Sequence, residues 1–201
     1  MRVLVACEYS ATVRDAFRSR GHDAWSCDLL PTEGNSEFHL QRCVLDVMRW
    51  TRGGKWRNEW SDWDLMIAFP PCTHLASSGA RWFKDKKDLQ DQALKFVSAM
   101  MSCACPRIAI ENPVGVISTR IRKPDQIIQP WQFGHGEVKT TCLWLKGLPK
   151  LVPTNVVEGR EQRCWKMPPS PDRARERSRT YFGIAEAMAD QWGTIDGSRG
   201  N

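Results

Sequence analysis

Residues 64–72, Asp64-Leu65-Met66-Ile67-Ala68-Phe69-Pro70-Pro71-Cys72, decide the fold. The apolar run from Leu65 to Phe69 is too short for a buried helix and suits a strand covered on both faces. The two prolines end it, because neither can donate to a hydrogen-bond ladder. A cysteine directly after such a stop belongs at the edge of a sheet, not in its core. Working outward, the same grammar recurs. Arg2 to Cys7 (RVLVAC) is another short apolar strand, and Thr12 to Arg20 carries Val13, Ala16 and Phe17 at helical spacing before stopping at Gly21. His22 to Asp28 returns as a strand. Asp85 to Met101 is the longest helix, with Leu89, Ala93, Phe96, Val97 and Met100 along one stripe. Arg107 to Ile110 (RIAI) is the next strand, closed by Glu111-Asn112-Pro113.

Strands and helices alternating in short units predict an α/β fold with a doubly wound, mostly parallel sheet, whose ligands sit beyond the carboxyl ends of its strands. Glu8, Asp28, Cys72 and Glu111 fall at those ends. The second half is less regular. Lys139 to Leu145 (KTTCLWL) reads as a strand after the Gly134-His135-Gly136 turn, Leu148 to Asp172 as loop, and Ile184 to Trp192 as a closing helix. At 201 residues the chain is expected to form one domain over 1–193, with a core in 1–116, an irregular region in 117–171 and a closing part in 172–193. A tail from 194 to 201 has little to pack and is expected to be disordered.

No stretch approaches the ~20 apolar residues of a membrane helix, and the chain enters directly into a strand. A cytoplasmic protein with no membrane contact is therefore expected, and no pattern calls for an obligate protein partner. With 29 basic against 23 acidic residues the net charge is +6, and the bases gather at Arg120, Arg122 and Lys123 and along Arg160 to Arg179. Such clusters suit either a polyanionic partner or a solvated surface. Eight cysteines without a secretion signal are expected to be free thiols. Cys103, Cys105, Cys142 and Cys164 match no paired zinc framework, so no metal is expected. Cys7, Cys27 and Cys142 lie in apolar runs as packing residues. Trp50, Trp56, Trp60 and Trp63 crowd one segment with Arg49, Arg52, Lys55 and Arg57; the rings either stack on unpaired bases or cover the sheet.

The chemistry rests on Cys72 and Glu111. Carbon 5 of cytosine is not nucleophilic on its own, but a thiolate adding to carbon 6 makes it so. That addition is easier when an acid protonates ring nitrogen 3. A cysteine and a carboxyl group facing one flat base from neighbouring strand ends would meet both needs. Each also has a plainer reading, Cys72 as a structural thiol and Glu111 as a turn residue.

On Pro71-Cys72, on Gly79 seven residues beyond the cysteine, and on Glu111-Asn112, the chain resembles the DNA (cytosine-5)-methyltransferase family, in a short, phage-type form. The resemblance covers residues 1–120 and implies a Rossmann-like methyltransferase sheet with a reduced C-terminal region. It implies transfer of a methyl group from S-adenosylmethionine to carbon 5 of cytosine in DNA, either duplex with a flipped base or single-stranded. By that resemblance Cys72 is the nucleophile, Glu111 steadies nitrogen 3 and the exocyclic amine, Pro71 shapes the pocket, and Asn112 belongs with them to the catalytic set. Glu8, Tyr9, Ser10 and Ala11 would form the cofactor loop. Asp28 and Leu29 would meet the ribose side, Asp46 and Val47 the adenine, and Pro70 would complete that site. Thr73, His74, Gly79, Lys139, Thr140 and Thr141 would meet substrate. Read from the residues alone, Arg81 and Trp82 just after the cysteine are expected near substrate, His74 either tunes the thiol or lines the loop, and His135 is a candidate phosphate contact.

The chain departs from the family in three places. Its cofactor loop contains no glycine, with Ala11 where close backbone approach is needed. Thr73 follows the nucleophile where the family has glutamine, and Lys139-Thr140-Thr141 stands for an arginine-bearing strand. A target-recognition region limited to 117–171 implies short or relaxed specificity, or a substrate other than duplex DNA. Two alternatives stay open: a free pyrimidine nucleotide such as dCMP as substrate, since thymidylate synthases also present Pro-Pro-Cys, and a catalytically silent DNA-binding relative.

Overall fold

The computed structural model describes residues 1–48 and 63–195, the side chains of 80–84 excepted. The expectations placed on Trp50, Trp56, Trp60 and their neighbouring bases, on the side chains of Arg81 and Trp82, and on the tail beyond 195 lie outside the described residues. Trp63 is described and is buried at 3% exposure, its indole N–H donating to the Val47 carbonyl at 3.2 Å, so this ring covers the sheet.

A seven-stranded sheet organises the chain in the order β3-β2-β1-β4-β5-β7-β6. The strands are β1 (Arg2–Ala6), β2 (Asp23–Asp28), β3 (His39–Gln41), β4 (Leu65–Ala68), β5 (Ile108–Pro113), β6 (Gln126–Ile128) and β7 (Thr141–Lys146). Pairings from β3 through β5 are parallel, and β7 runs antiparallel to both β5 and β6. The helices are α1 (Thr12–Arg18), α2 (Val44–Val47), α3 (Lys87–Met101), α4 (Ile117–Arg120), α5 (Arg163–Lys166), α6 (Arg173–Ser178) and α7 (Phe182–Gly193). The doubly wound, mostly parallel α/β sheet expected from the sequence is present. None of the described helices is long and apolar enough to cross a membrane.

Alternation along the central strands assigns the two faces. Leu4, Ala6, Met66, Ala68, Ile108 and Ile110 point to the face covered by α3. Val3, Val5, Leu65, Ile67 and Ala109 point to the other, covered by α1 and α7. Both faces are buried, which is why these strands read as unbroken apolar runs. The predicted Val13, Ala16 and Phe17 of α1 are buried, together with Arg14. Arg20 locks α1 to α7 through 2.6 Å ion pairs to Glu186 and Asp190.

Several expectations need correction. The buried stripe of α3 is Gln90, Leu94, Val97 and Met100, whereas Leu89 is 44% exposed. Gln90 donates to the His74 carbonyl at 3.2 Å, which satisfies its amide on the buried face, and Ala93 and Phe96 pack against the same core half-buried. Cys7 packs against the core as expected but is only half-buried, because it leaves β1 in a left-handed conformation (φ 58°). The stretch 148–172 includes α5, and the closing part holds α6 as well as α7. Ile195 packs against the α1–α7 core, and its carbonyl accepts from Arg107 at 2.7 Å.

Candidate active site

The Cys72 loop follows from the way β4 stops. Phe69 N–H makes a last 2.9 Å bond to the Ala6 carbonyl, and Pro70 and Pro71 then offer no donors. The chain turns at once. Leu75 and Ala76 amides both donate to the Cys72 carbonyl at 2.9 Å, and Leu75 is buried at 1% exposure. The backbone of Cys72 is thus held while its side chain is left exposed.

This loop is stitched to the one that follows Glu111. Asn112, 1% exposed, donates through Nδ2 to the Pro70 carbonyl at 2.8 Å. Ser77 N–H donates to Val114 and Val116 N–H to Leu75, each at 2.9 Å, around an antiparallel bridge between Ala76 and Gly115. At Gly115 the backbones approach so closely that a Cβ would stand 1.9 Å from the Leu75 carbonyl oxygen. Gly115 is the positioning residue that sequence reasoning missed. Its signal was a glycine two residues beyond Asn-Pro, which marks close backbone approach only once the partner is known.

Glu111 lies half-buried at the carboxyl end of β5, in register with Leu143 of β7. Burial raises its carboxyl above the ordinary range, and Lys139 and the Thr141 hydroxyl pull it part of the way back. Although solvent reaches Cys72, crowding around the sulfur is the main cause that raises its thiol, and the Glu111 charge is the next. Arg177 and Lys139 act in the opposite sense. The Glu111 charge therefore bears on the thiol, and Lys139 bears on both groups. The Lys139 ammonium donates to the Arg179 carbonyl at 3.1 Å.

The other expected substrate residues take varied places. Thr73 is exposed beside Cys72, while His74 and Gly79 are half-buried on the same turn. Thr140 Oγ1 accepts from Gln129 at 2.8 Å and Thr141 Oγ1 donates to the Lys139 carbonyl at 3.0 Å, so these hydroxyls also shape the backbone before β7. His135 is engaged inside the protein: its Nε2 accepts from Gly183 N–H at 3.0 Å and its ring lies 5.1 Å from that of Tyr181.

Where a cofactor loop is expected, β1 ends in the loop 7–12. Glu8 is 4% exposed, and its carboxylate accepts from the Val13 amide at 2.7 Å and the Arg14 amide at 3.2 Å, closing the start of α1. Burial pushes this carboxyl up to about 7, against the pull of those amides and of Arg14. Ser10 Oγ sits 3.4 Å from Glu8 Oε1. Ala11 occupies the left-handed region at φ 64° and is buried at 1% exposure. It takes a conformation that glycine would adopt without strain, at a cost of roughly 1–2 kcal/mol. The Tyr9 carbonyl accepts from the Glu33 amide and the Thr32 hydroxyl, tying this loop to the one after β2.

Asp28 ends β2 and uses Oδ1 to hold the Leu30 amide at 2.9 Å; its second oxygen has no partner among the described residues. Leu29 beside it is 71% exposed. A carboxylate oxygen and an apolar side chain left open at the end of the second strand fit a ribose and an adenine. Asp46 is exposed and Val47 buried on α2. Among the described residues no three His, Cys, Asp or Glu side chains are grouped to hold a metal, and all eight cysteines are free thiols.

No family model and no curated protein matches the chain. A solved structure provisionally described as a DNA modification methyltransferase encoded within a prophage of E. coli is similar to it at a TM-score of 0.47 and 14% identity. The match covers 79% of this chain and 52% of that one, so the chain spans about half the length of that structure.

Proposed function

We propose that the protein transfers a methyl group from S-adenosylmethionine to carbon 5 of cytosine in DNA, with Cys72 as the nucleophile. The observation that carries the reading is the pairing of the exposed Cys72 with Glu111 at adjacent strand ends, each feeling Lys139. A carboxyl group raised by burial keeps its proton closer to neutral pH and can donate it to ring nitrogen 3. The Cys72 sulfur then bonds to carbon 6, the carbon 5–carbon 6 electron pair moves to carbon 5, and the thiol proton is given up to solvent. S-adenosylmethionine, when bound, would supply an electrophilic methyl, its sulfur–methyl bond breaking as the methyl passes to carbon 5 and leaving S-adenosylhomocysteine. Loss of the carbon 5 proton to solvent, return of the nitrogen 3 proton to Glu111 and breakage of the sulfur–carbon 6 bond restore the Cys72 thiolate. Asp28 and Leu29 would meet the cofactor. Pro71, and Asn112 through its bond to the Pro70 carbonyl, would hold the pocket wall. The buried Asn112 Oδ1, without a partner among the described residues, is the kind of unsatisfied acceptor that functional sites retain.

A polyanionic substrate suits the exposed Trp165 (74%) and Lys166 on α5. Incubation with labelled S-adenosylmethionine and either DNA or free dCMP tests the reading. Label should enter DNA and not dCMP, and Cys72→Ser should abolish incorporation while melting normally. A fully active Cys72→Ser protein would refute it.

One observation favours a second reading, a silent nucleic-acid-binding relative: Glu8 and Ala11 both serve the loop's own backbone. Absence of heat on titration with millimolar S-adenosylmethionine would support that alternative.

A further inference from the structure

The strand order brings five groups to one edge of the sheet. Glu33 lies beyond β2, Tyr9 beyond β1, Cys72 beyond β4, Glu111 at the end of β5, and Lys139 just ahead of the antiparallel β7. The segment Arg175–Arg179, most of α6 and the residue after it, touches both flanks of this row. On the cofactor flank, Arg175 Nε donates to Glu33 Oε1 at 2.8 Å, Arg175 Nη2 reaches the same oxygen, and Arg179 Nη2 donates to it at 2.9 Å. The Tyr9 hydroxyl donates to the Arg175 carbonyl at 2.9 Å and sits 3.0 Å from Ser178 Oγ. On the other flank the Arg179 carbonyl accepts from Lys139 Nζ at 3.1 Å. In the sheet β1 and β7 are separated by β4 and β5, the two strands that carry Cys72 and Glu111. The segment therefore crosses in front of the thiol and the carboxyl.

Arg175 and Arg179 are four residues apart and turn the same way, toward Glu33. Arg177 lies midway, so its side chain leaves α6 on the opposite side, and it has no carboxylate partner among the described residues. We propose that Arg177 is a positioning residue for Cys72: the Glu33 clamp holds α6 across the strand ends so that the Arg177 guanidinium faces the sulfur and favours its thiolate. The proposal rests on the reading of Cys72 as the nucleophile.

The groups whose charge bears on this thiol come from three elements: Glu111 from β5, Lys139 from the segment before β7, and Arg177 from α6; His74 stands on the thiol's own turn. Glu111 opposes ionisation, while Arg177 and Lys139 favour it. The thiolate is the attacking species, so a cation tethered from the cofactor flank links the two halves of the site.

Alkylation by iodoacetamide tests the proposal, with Cys72 modification followed by mass spectrometry from pH 6 to 10 in the full chain. Arg177→Ala should move the apparent thiol pKa upward and slow alkylation roughly 3- to 10-fold at pH 7.5, the effect of one charge acting through partly solvated surroundings. Arg177→Lys should restore most of the rate. Glu33→Gln should give part of the Arg177→Ala effect, with a normal melting curve in each case. An Arg177→Ala profile that superimposes on wild type overturns the proposal. So does a Glu33→Gln profile identical to wild type, because the clamp would then set nothing. Alkylation reads the thiol directly. A protein that methylates nothing yet shows these shifts would refute the proposed function and leave the clamp standing.

Discussion

Gly115→Ala tests whether the nucleophile loop and the carboxyl strand form one unit. The new Cβ would stand 1.9 Å from the Leu75 oxygen, 2.8 Å from its carbonyl carbon and 2.9 Å from the Ala76 Cα. All three are backbone atoms, so no rotamer change relieves the contact. Gly115 has no positive φ, so alanine meets no dihedral strain there and the substitution isolates the close approach. Restoring ordinary contact requires the two loops to part by about 1.5 Å. That separation breaks the Ser77–Val114 and Val116–Leu75 hydrogen bonds, now 2.9 Å each. Two such bonds at about 1 kcal/mol, with roughly 1–3 kcal/mol for overpacking, give a destabilisation of about 3–5 kcal/mol. This is a large share of the roughly 5–15 kcal/mol that holds a typical domain together. With an m-value of about 2 kcal/mol/M, the urea midpoint should fall by about 1.5–2.5 M. Methyl transfer should fall further than the folded fraction, because the thiol and Glu111 would no longer be held in register. A midpoint within about 0.3 M of wild type would show that the loops are not locked through Gly115.

Three further perturbations follow from the same contacts. Burial holds Glu8 at about 7 in the folded protein against 4.5 for a free carboxyl, so the native state binds the extra proton between these values. Its contribution to stability is therefore greatest below pH 4.5, declines by about 3 kcal/mol as pH rises to 7, and is level above that. Urea midpoints at pH 5 and pH 8 should differ less in Glu8→Gln than in wild type, and equal differences would count against a buried, elevated Glu8. Ala11→Gly relieves roughly 1 kcal/mol of left-handed strain and forfeits a buried methyl worth about 0.8 kcal/mol, so the melting temperature should barely move. Calorimetry should then show tighter S-adenosylmethionine binding, whereas an unchanged Kd would remove Ala11 from the cofactor contact. Arg20→Ala breaks both ion pairs to α7 at a half-exposed site and should cost about 1 kcal/mol, shrinking in 1 M salt; a difference that ignores salt would argue for a packing role of the arginine stem.

What could be read from the sequence was what is local. Leu65–Ala68 and Ile108–Ile110 declare themselves because both faces of each strand are buried, and Pro70 and Pro113 mark where they end. Cys72 and Glu111 were legible for the same reason: a polar residue at the stop of a buried strand has only the edge of the sheet to occupy. Features that depend on a distant partner were not legible. Gly115 matters because of the Leu75 backbone, and α6 has no apolar stripe of its own, being held by Tyr9 and Glu33. The charge run shows the difference most clearly. Counted along the chain, Arg160 to Arg179 is a block of positive charge. In the structure Arg160 lies 3.9 Å over the Trp131 ring, Arg163 pairs with Glu137 at 3.0 Å, and Glu33 takes both Arg175 and Arg179. The cations in this run without a carboxylate partner among the described residues are Arg160, Lys166, Arg173 and Arg177. The field this run offers to a polyanion is therefore smaller than its seven cations suggest, and more sharply placed. Its salt dependence should reflect a few phosphate contacts rather than the whole run, with Arg177 divided between the substrate and Cys72.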